Sequence, residues 1–129
     1  MIYIIAFNYD IVYPDKRKLF TIIPGESRFL TMEEYIMTTP CVWNKLIKRS
    51  LITNNKWQLP EGMIYEDFAA VPIIAKYNPK VYYLNESLYN YIQSEESLMR
   101  SKEYKKKYVD IFKATDILYH ELNDTEYKY

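Results

Sequence analysis

The sequence predicts a single domain of the α/β class. The chain has 129 residues, 49% of them hydrophobic, which is enough to form one core without disulfides. Runs of β-branched and aromatic residues alternate with segments that have the caps and spacing of helices. We therefore expect a small mixed sheet with flanking helices, followed by a long C-terminal helix, with residues 1–129 in one domain.

The N-terminal region predicts two strands. Residues 2–8 are apolar on both faces, which is typical of a strand in the middle of a sheet covered on both sides. Pro14 and Asp15 mark a turn, and residues 18–23 are expected to pair back on the first strand as a hairpin.

The next segments predict short helices. Thr31 and Glu34 fit a capping box, so residues 32–37 should form a helix that ends before Pro40. Residues 41–46 fit either a strand or the start of a helix. The apolar residues of 45–51 have helical spacing, and Asn54 and Asn55 should stop that helix.

A turn with two adjacent carboxylates lies at the centre of the chain. Pro60 and Gly62 mark the turn, and Glu66 and Asp67 precede an apolar segment, where a helix N-terminus favours negative charge. Residues 68–77 predict a helix that ends at Asn78-Pro79, and in which Pro72 causes a kink or opens a second segment.

Two strands and a helix complete the prediction. Residues 81–84 and 87–92 read as strands separated by a tight connection at Asn85-Glu86. A helix should follow over residues 101–123, starting from a Ser101 cap, and residues 124–129 should be a frayed tail. The helix has one apolar stripe, expected to be buried, and an opposite face with Lys105–Lys107, Asp110 and Asp116; the stripe comprises Tyr104, Tyr108, Ile111, Phe112, Thr115, Leu118, Tyr119 and Leu122.

Composition argues against several classes of function. The chain has 17 basic and 17 acidic residues, so no net field recruits nucleic acid, and Lys105–Lys107 are expected to be a solvated face. A single cysteine, Cys41, favours a reducing, cytoplasmic compartment. No transmembrane segment or signal peptide is predicted, and with two glycines there is no glycine-rich phosphate loop. His120 has no partner at metal-ligand spacing and should lie on the surface.

Three blocks resemble a known family. Residues 43–51 begin with Trp-Asn-Lys-Leu, residues 65–68 are Tyr-Glu-Asp-Phe, and residues 82–91 read Tyr-Tyr-Leu-Asn-Glu-Ser-Leu-Tyr-Asn-Tyr. Their order and spacing resemble the C-terminal, acceptor-side half of bacterial family 2 glycosyltransferases, which have a GT-A fold and build surface polysaccharides. The resemblance covers about residues 2–100.

The resemblance implies transfer of a sugar from a nucleotide-sugar donor to a hydroxyl of a carbohydrate acceptor. It assigns Asp67 as the general base that takes the acceptor proton. It also implies a divalent metal, Mg or Mn, in a full-length enzyme, and a cytoplasmic location that can include the inner face of the membrane. From composition and position alone, the favoured role of Asp67 is a helix cap.

The other candidate site residues each have a structural alternative. Glu66 would bind the acceptor or support Asp67. Trp43 would form a flat wall for a sugar ring, with Asn44 and Lys45 reaching acceptor or phosphate oxygens; the alternative is a core Trp43 and a surface Lys45. Arg100 would lie near the diphosphate, although Gln93 and the neighbouring acidic residues favour a solvated loop there.

A donor-binding half needs several βα units of about 30 residues each, and we expect none in this sequence. We also expect no aspartate metal motif, because Asp10 and Asp15 flank a hairpin. We therefore expect the chain alone to transfer no sugar. A strand of the buried type with a bare edge also predicts a homo-oligomer formed through an exposed sheet edge. The alternative function is a non-catalytic binding or interaction module that keeps the fold.

Overall fold

A computed structural model describes residue 1, residues 3–94 and residues 104–127 of the chain. In order, its elements are β1 (Ile4–Val12), β2 (Arg17–Phe20), β3 (Arg28–Leu30), α1 (Met32–Ile36), β4 (Lys45–Ile47), α2 (Arg49–Asn55), α3 (Glu66–Ala70), a 3₁₀ helix (Pro72–Tyr77), β5 (Val81–Ile92) and α4 (Tyr104–Leu122).

β1 is the central strand of a five-stranded mixed sheet, which confirms the α/β class. The strand order is β2-β1-β5-β3, and β4 also pairs with β1. β2 and β4 run antiparallel to β1, whereas β5 runs parallel to it. The predicted hairpin is confirmed, although β2 is shorter than expected. Since β1 has neighbours along both sides, the bare edge predicted for this strand is wrong.

The core lies on one face of this sheet. A row of cross-strand partners, Ile47, Ile4, Val81 and Leu30, runs across β4, β1, β5 and β3. These residues belong to or pack against a cluster that includes Tyr35, Leu51, Val71 and Ile74 from the helical segments. The Tyr35 hydroxyl donates to the Val71 carbonyl at 3.0 Å, and burial raises the pKa of Tyr35.

The opposite face of the sheet carries a second apolar row. Leu46, Ile5, Tyr82 and Phe29 are cross-strand partners in the same four strands. Leu46 is 59% exposed and Phe29 57%. The expectation of a sheet covered on both sides is therefore wrong at these two strands, within the described residues.

Local signals set several boundaries as predicted. Thr31 and Glu34 form both hydrogen bonds of the capping box at the start of α1. Pro72 occupies the first turn of the 3₁₀ helix and so opens a second segment. Asn78, in the left-handed conformation with φ of 43°, ends that segment.

Residues 45–47 form a strand, so the predicted helix over 45–51 is wrong at its start. β4 pairs with Ile4–Ala6 of β1, and α2 begins only at Arg49. The pairing satisfies the backbone groups of β4 that face β1, and it places Lys45 and Ile47 on one face and Leu46 on the other, as the period of two in a strand requires. α2 ends at Asn55, near the predicted stop, with Lys56 in the left-handed conformation.

Residues 81–92 form one strand, so the tight connection predicted at Asn85-Glu86 is also wrong. The register against β1 shifts on both sides of Asn8, and β5 accommodates its additional residues there as an irregularity. Asn8 Nδ2 donates to Asn85 Oδ1 at 2.9 Å, and the Tyr83 hydroxyl lies 3.0 Å from the same oxygen. This polar contact fixes Asn85 within the sheet.

α4 buries only part of the predicted stripe. Leu122 is buried as predicted, whereas Tyr108, Phe112 and Tyr119 are 51%, 74% and 57% exposed. Asp110 and Ala114, which lie outside the predicted stripe, are also buried. The helix packs against α3 and the 3₁₀ helix. The small side chain of Ala114 suits such close packing better than the ring of Phe112 does.

The predicted C-terminal region lies only partly within the described residues. The Ser101 cap lies outside the described residues, as do residues 128–129. Within the tail, Tyr127 packs against the hydrophobic core, so the prediction of a frayed segment is wrong at this residue. No helix in the described part of the chain is long and apolar enough to cross a membrane.

Candidate functional site

The structure places Trp43 against tyrosines of the third sequence block, and the residue before Trp43 against Asp67. The Trp43 indole stacks on Tyr89, with ring centroids 4.6 Å apart, and on Tyr91, at 5.1 Å. One residue before Trp43, the Val42 backbone N–H donates to Asp67 Oδ2 at 3.3 Å. The candidate base is thus next to the segment that holds the aromatic cluster.

Asp67 lies inside the first turn of α3 and is not its cap. The helix begins at Glu66, and the preceding Tyr65 has φ of 70° and no side-chain capping bond. Gly62, with φ of 73°, takes the left-handed conformation that the turn requires. Both carboxylates, Glu66 and Asp67, are partly exposed, so a solvent-borne ligand can reach this turn.

Lys45 is a buried ammonium group held by oxygen atoms of its own loop. Its side chain donates to the carbonyls of Thr39 at 2.6 Å and Cys41 at 3.0 Å, and to Asn44 Oδ1 at 2.8 Å. The residue is 6% exposed. The surface position considered for Lys45 is therefore wrong, and its three bonds direct the charge inward.

Three titratable groups influence one another at this point. Burial lowers the pKa of Lys45 to about 8, and its interactions with Cys41 and Asp67 oppose this shift. Burial raises the pKa of Cys41 to about 11, and the Asp67 charge raises it further. At neutral pH the Cys41 thiol is protonated, so Cys41 is not a nucleophile there.

Asn44 is fully buried with an unused donor. Its Oδ1 accepts from Lys45, but Nδ2 has no hydrogen-bond partner among the described residues. Because its side chain is 0% exposed, Asn44 cannot reach an acceptor sugar directly. The structure supports a role for Asn44 in positioning Lys45.

An aromatic cluster surrounds Trp43. Tyr9 meets the indole edge-on at 4.6 Å and stacks on Phe20 at 4.7 Å. Burial raises the pKa of Tyr9 to about 12. Trp43 is partly exposed and Tyr89 is 38% exposed, so the cluster presents aromatic surface to solvent.

Asp110 is a residue of this region that sequence patterning missed. Its Oδ2 accepts the Ile64 N–H at 2.9 Å and its Oδ1 pairs with Lys113 at 3.3 Å. The side chain is 1% exposed, although Asp110 was expected on the solvated face of α4. Asp110 thus ties α4 to the turn that carries Asp67. A lone carboxylate in a lysine-rich stretch gives no sequence signal for this contact.

Of the remaining candidate residues, Arg100 lies outside the described residues. His120 is exposed, as expected, and lies 3.5 Å from Asp116. No group of three or more acidic, cysteine or histidine side chains in the described ranges could hold a metal ion.

A cavity of about 400 Å³ lies between α1, the segment around Pro40, and α4. Its walls include Met37, Phe68, Pro72 and Leu118, and no charged residue lines it. Phe68 follows Asp67 in the chain, but the cavity itself offers no group for proton transfer.

Comparisons of the chain with protein-family models, with curated proteins and with solved structures gave no match.

Proposed function

We propose that this chain is the acceptor-side portion of a glycosyltransferase, with Asp67 as the general base. The proposal combines the resemblance of the three sequence blocks with one structural observation. Trp43, Asp67 and the tyrosines of β5 belong to separate blocks, yet the first contacts the β5 tyrosines and its neighbour Val42 contacts Asp67.

The chemistry of Asp67 fits the proposed role. An alcohol is a poor nucleophile, and removing its proton as it attacks the anomeric carbon accelerates transfer about 10²–10⁴-fold. One carboxylate oxygen of Asp67 accepts the Val42 N–H, which orients the group. The partly exposed aromatic surface of Trp43 and Tyr89 would contact the apolar face of a sugar ring.

In this proposal, the buried residues Lys45 and Asn44 stabilise the loop next to the site. Their mutual bond and the two carbonyl contacts of Lys45 brace the loop that presents Val42 and Trp43.

Saccharide binding by the 129-residue chain tests the acceptor-side assignment. We expect ligand-observed NMR with a panel of hexoses and oligosaccharides to detect binding, which Trp43→Ala abolishes. Leu19→Ala is the matched control, because Leu19 is 55% exposed and precedes Phe20, so it lies on the opposite face of β2 from the ring that stacks on Tyr9. Absence of binding to every saccharide, or equal binding by Trp43→Ala, would contradict the assignment.

The base assignment is tested in a protein that also supplies a donor-binding half. Asp67→Asn keeps an oxygen that can accept the Val42 N–H but cannot take a proton at neutral pH. We expect kcat to fall about 10²–10⁴-fold with KM for the acceptor nearly unchanged. Glu61→Gln, an exposed carboxylate in the same turn, serves as the control. An unchanged kcat in Asp67→Asn would remove the assignment.

A second candidate is a binding module without catalysis. It is favoured by the inward bonding of Lys45 and by the use of Asp67 as a backbone acceptor, since both interactions also serve to hold the loop. In that case the chain binds saccharide through Trp43, while Asp67→Asn changes neither binding nor any rate.

A further inference from the structure

One edge of the sheet differs from the others in its chemistry. β3 covers the outer edge of β5 only at Val81–Tyr83, and the Asn85 N–H donates to Ser27 Oγ at 2.8 Å. Beyond that point no strand in the described ranges pairs with the outer edge of residues 86–92. Among the described residues, the backbone groups along this edge face no other strand and can pair with a further one.

The other sheet edges carry features that discourage pairing. β2 presents the adjacent cations Arg17 and Lys18, and β3 and β4 are each three residues long. Cationic side chains and short length are common protections of natural edges. Residues 86–92, Glu-Ser-Leu-Tyr-Asn-Tyr-Ile, contain no lysine, arginine or proline.

The side chains along this edge are also exposed. Leu88 is 52% exposed, Tyr89 38% and Ile92 70%. An unprotected strand with exposed apolar and aromatic side chains favours addition of a further strand.

The edge is compatible with a copy of itself. In an antiparallel pair centred on Tyr89, Glu86 lies opposite Ile92 of the second copy, and Leu88 lies opposite Asn90. The two Glu86 carboxylates then lie about 20 Å apart, at about 3.4 Å per residue, which exceeds the screening length at physiological salt. The pairing therefore opposes no like charges, and it obeys the two-fold symmetry usual for homodimers.

We propose that residues 86–92 of β5 pair antiparallel with the same residues of a second copy, forming a homodimer with one continuous sheet. Tyr89 lies at the two-fold axis and also stacks on Trp43, so the dimer joins the aromatic clusters of the two copies. The second copy thus contributes Tyr89 to the surface around Trp43. This inference does not depend on the glycosyltransferase proposal.

Sedimentation velocity of the full chain, from micromolar concentration upward, tests the proposal. We expect a dimer of twice the 15.6 kDa chain mass. Leu88→Lys should raise the dimer dissociation constant about tenfold or more, because two like charges are brought near the axis. Leu19→Lys, at a leucine that is 55% exposed on the β2 edge, should leave the dissociation constant unchanged.

Two further measurements make the outcome decisive. Circular dichroism should show that Leu88→Lys and Leu19→Lys are folded alike. Amide exchange over residues 86–92 should slow as the concentration of the wild-type chain rises. A monomer at all concentrations would overturn the proposal, as would a dimer equally sensitive to both substitutions or insensitive to Leu88→Lys.

Discussion

At the scale of single residues, Lys45 shows how a buried charge depends on its neighbours. It replaces hydration by three oxygen atoms, of Thr39, Cys41 and Asn44. A hydrogen-bonded buried cation costs less than an unpaired one, but desolvation still disfavours its charged form. The depressed pKa of Lys45 is the measurable sign of that cost.

The pH dependence of stability should report Lys45. Because its folded pKa is about 8, against an ordinary value of 10.5, the folded chain binds fewer protons than the unfolded chain between these pH values. The free energy of unfolding should therefore rise by about 1 kcal/mol from about pH 7.5 to pH 9. Above pH 9 the raised pKa of Cys41 opposes the rise.

Urea unfolding at the two pH values measures this effect. Lys45→Met should lower the stability at neutral pH, since the three acceptors lose their donor, and should abolish the rise with pH. A rise of the same size in Lys45→Met would show that another group is responsible.

Asp110 should matter for stability despite its place in a charged helix. Asp110→Ala leaves the Ile64 N–H without its acceptor, which costs about 1–3 kcal/mol of unfolding free energy. Asp116→Ala, at a side chain that is 72% exposed, should change the stability by less than about 0.5 kcal/mol. Denaturant titrations compare the two variants, and equal effects would contradict the role given to Asp110.

At the scale of elements, α4 shows that an apolar stripe does not by itself choose the buried face. The predicted stripe contains the exposed Tyr108, Phe112 and Tyr119, while the buried positions include Asp110 and Ala114. Packing against α3 and the 3₁₀ helix determines which face of α4 is buried. That face includes the small Ala114 and Asp110, whose carboxylate accepts the Ile64 N–H.

A pair of substitutions tests this orientation of α4. Leu122→Ala should destabilise the fold by about 2–5 kcal/mol, since Leu122 is 2% exposed. Phe112→Ser should cost less than about 1 kcal/mol, since the ring is 74% exposed. Thermal unfolding followed by circular dichroism ranks the variants, and the reverse order would mean that α4 buries Phe112 and exposes Leu122.

At the scale of the whole molecule, β1 organises the fold. It pairs with β2, β4 and β5, and its residues Ile4 and Ala6 are fully buried. The helical segments pack on one face, whereas Leu46 and Phe29 leave part of the other face exposed.

Hydrogen exchange should reflect this arrangement. Amides of residues 4–7 in β1 should be the slowest to exchange, since they open only with the whole domain. Amides of β2 should exchange faster, because that strand pairs only with β1 and is largely exposed. Faster exchange in residues 4–7 than in β2 would contradict the central role of β1.

The sequence by itself determined features that depend on near neighbours in the chain. The capping box of Thr31 and Glu34, the role of Pro72 and the stop at Asn78 follow from local backbone chemistry. The run of apolar residues in β1 likewise predicted a strand buried on both faces, and consecutive residues Ala6–Tyr9 are buried. The three sequence blocks on which the proposed site rests could also be identified in the sequence, but the contacts of their residues could not.

Only the tertiary structure decided features that depend on distant partners. Residues 45–47 became a strand because β1 offers them an edge, and Asn85 stays within β5 because Asn8 and Tyr83 contact it. Asp110 is buried because the Ile64 backbone N–H, 46 residues earlier in the chain, donates to it. Lys45 is buried because its own loop folds so that the carbonyls of Thr39 and Cys41 accept from it. The sequence does not show these contacts, since the partners are backbone groups and common polar side chains that the fold brings together.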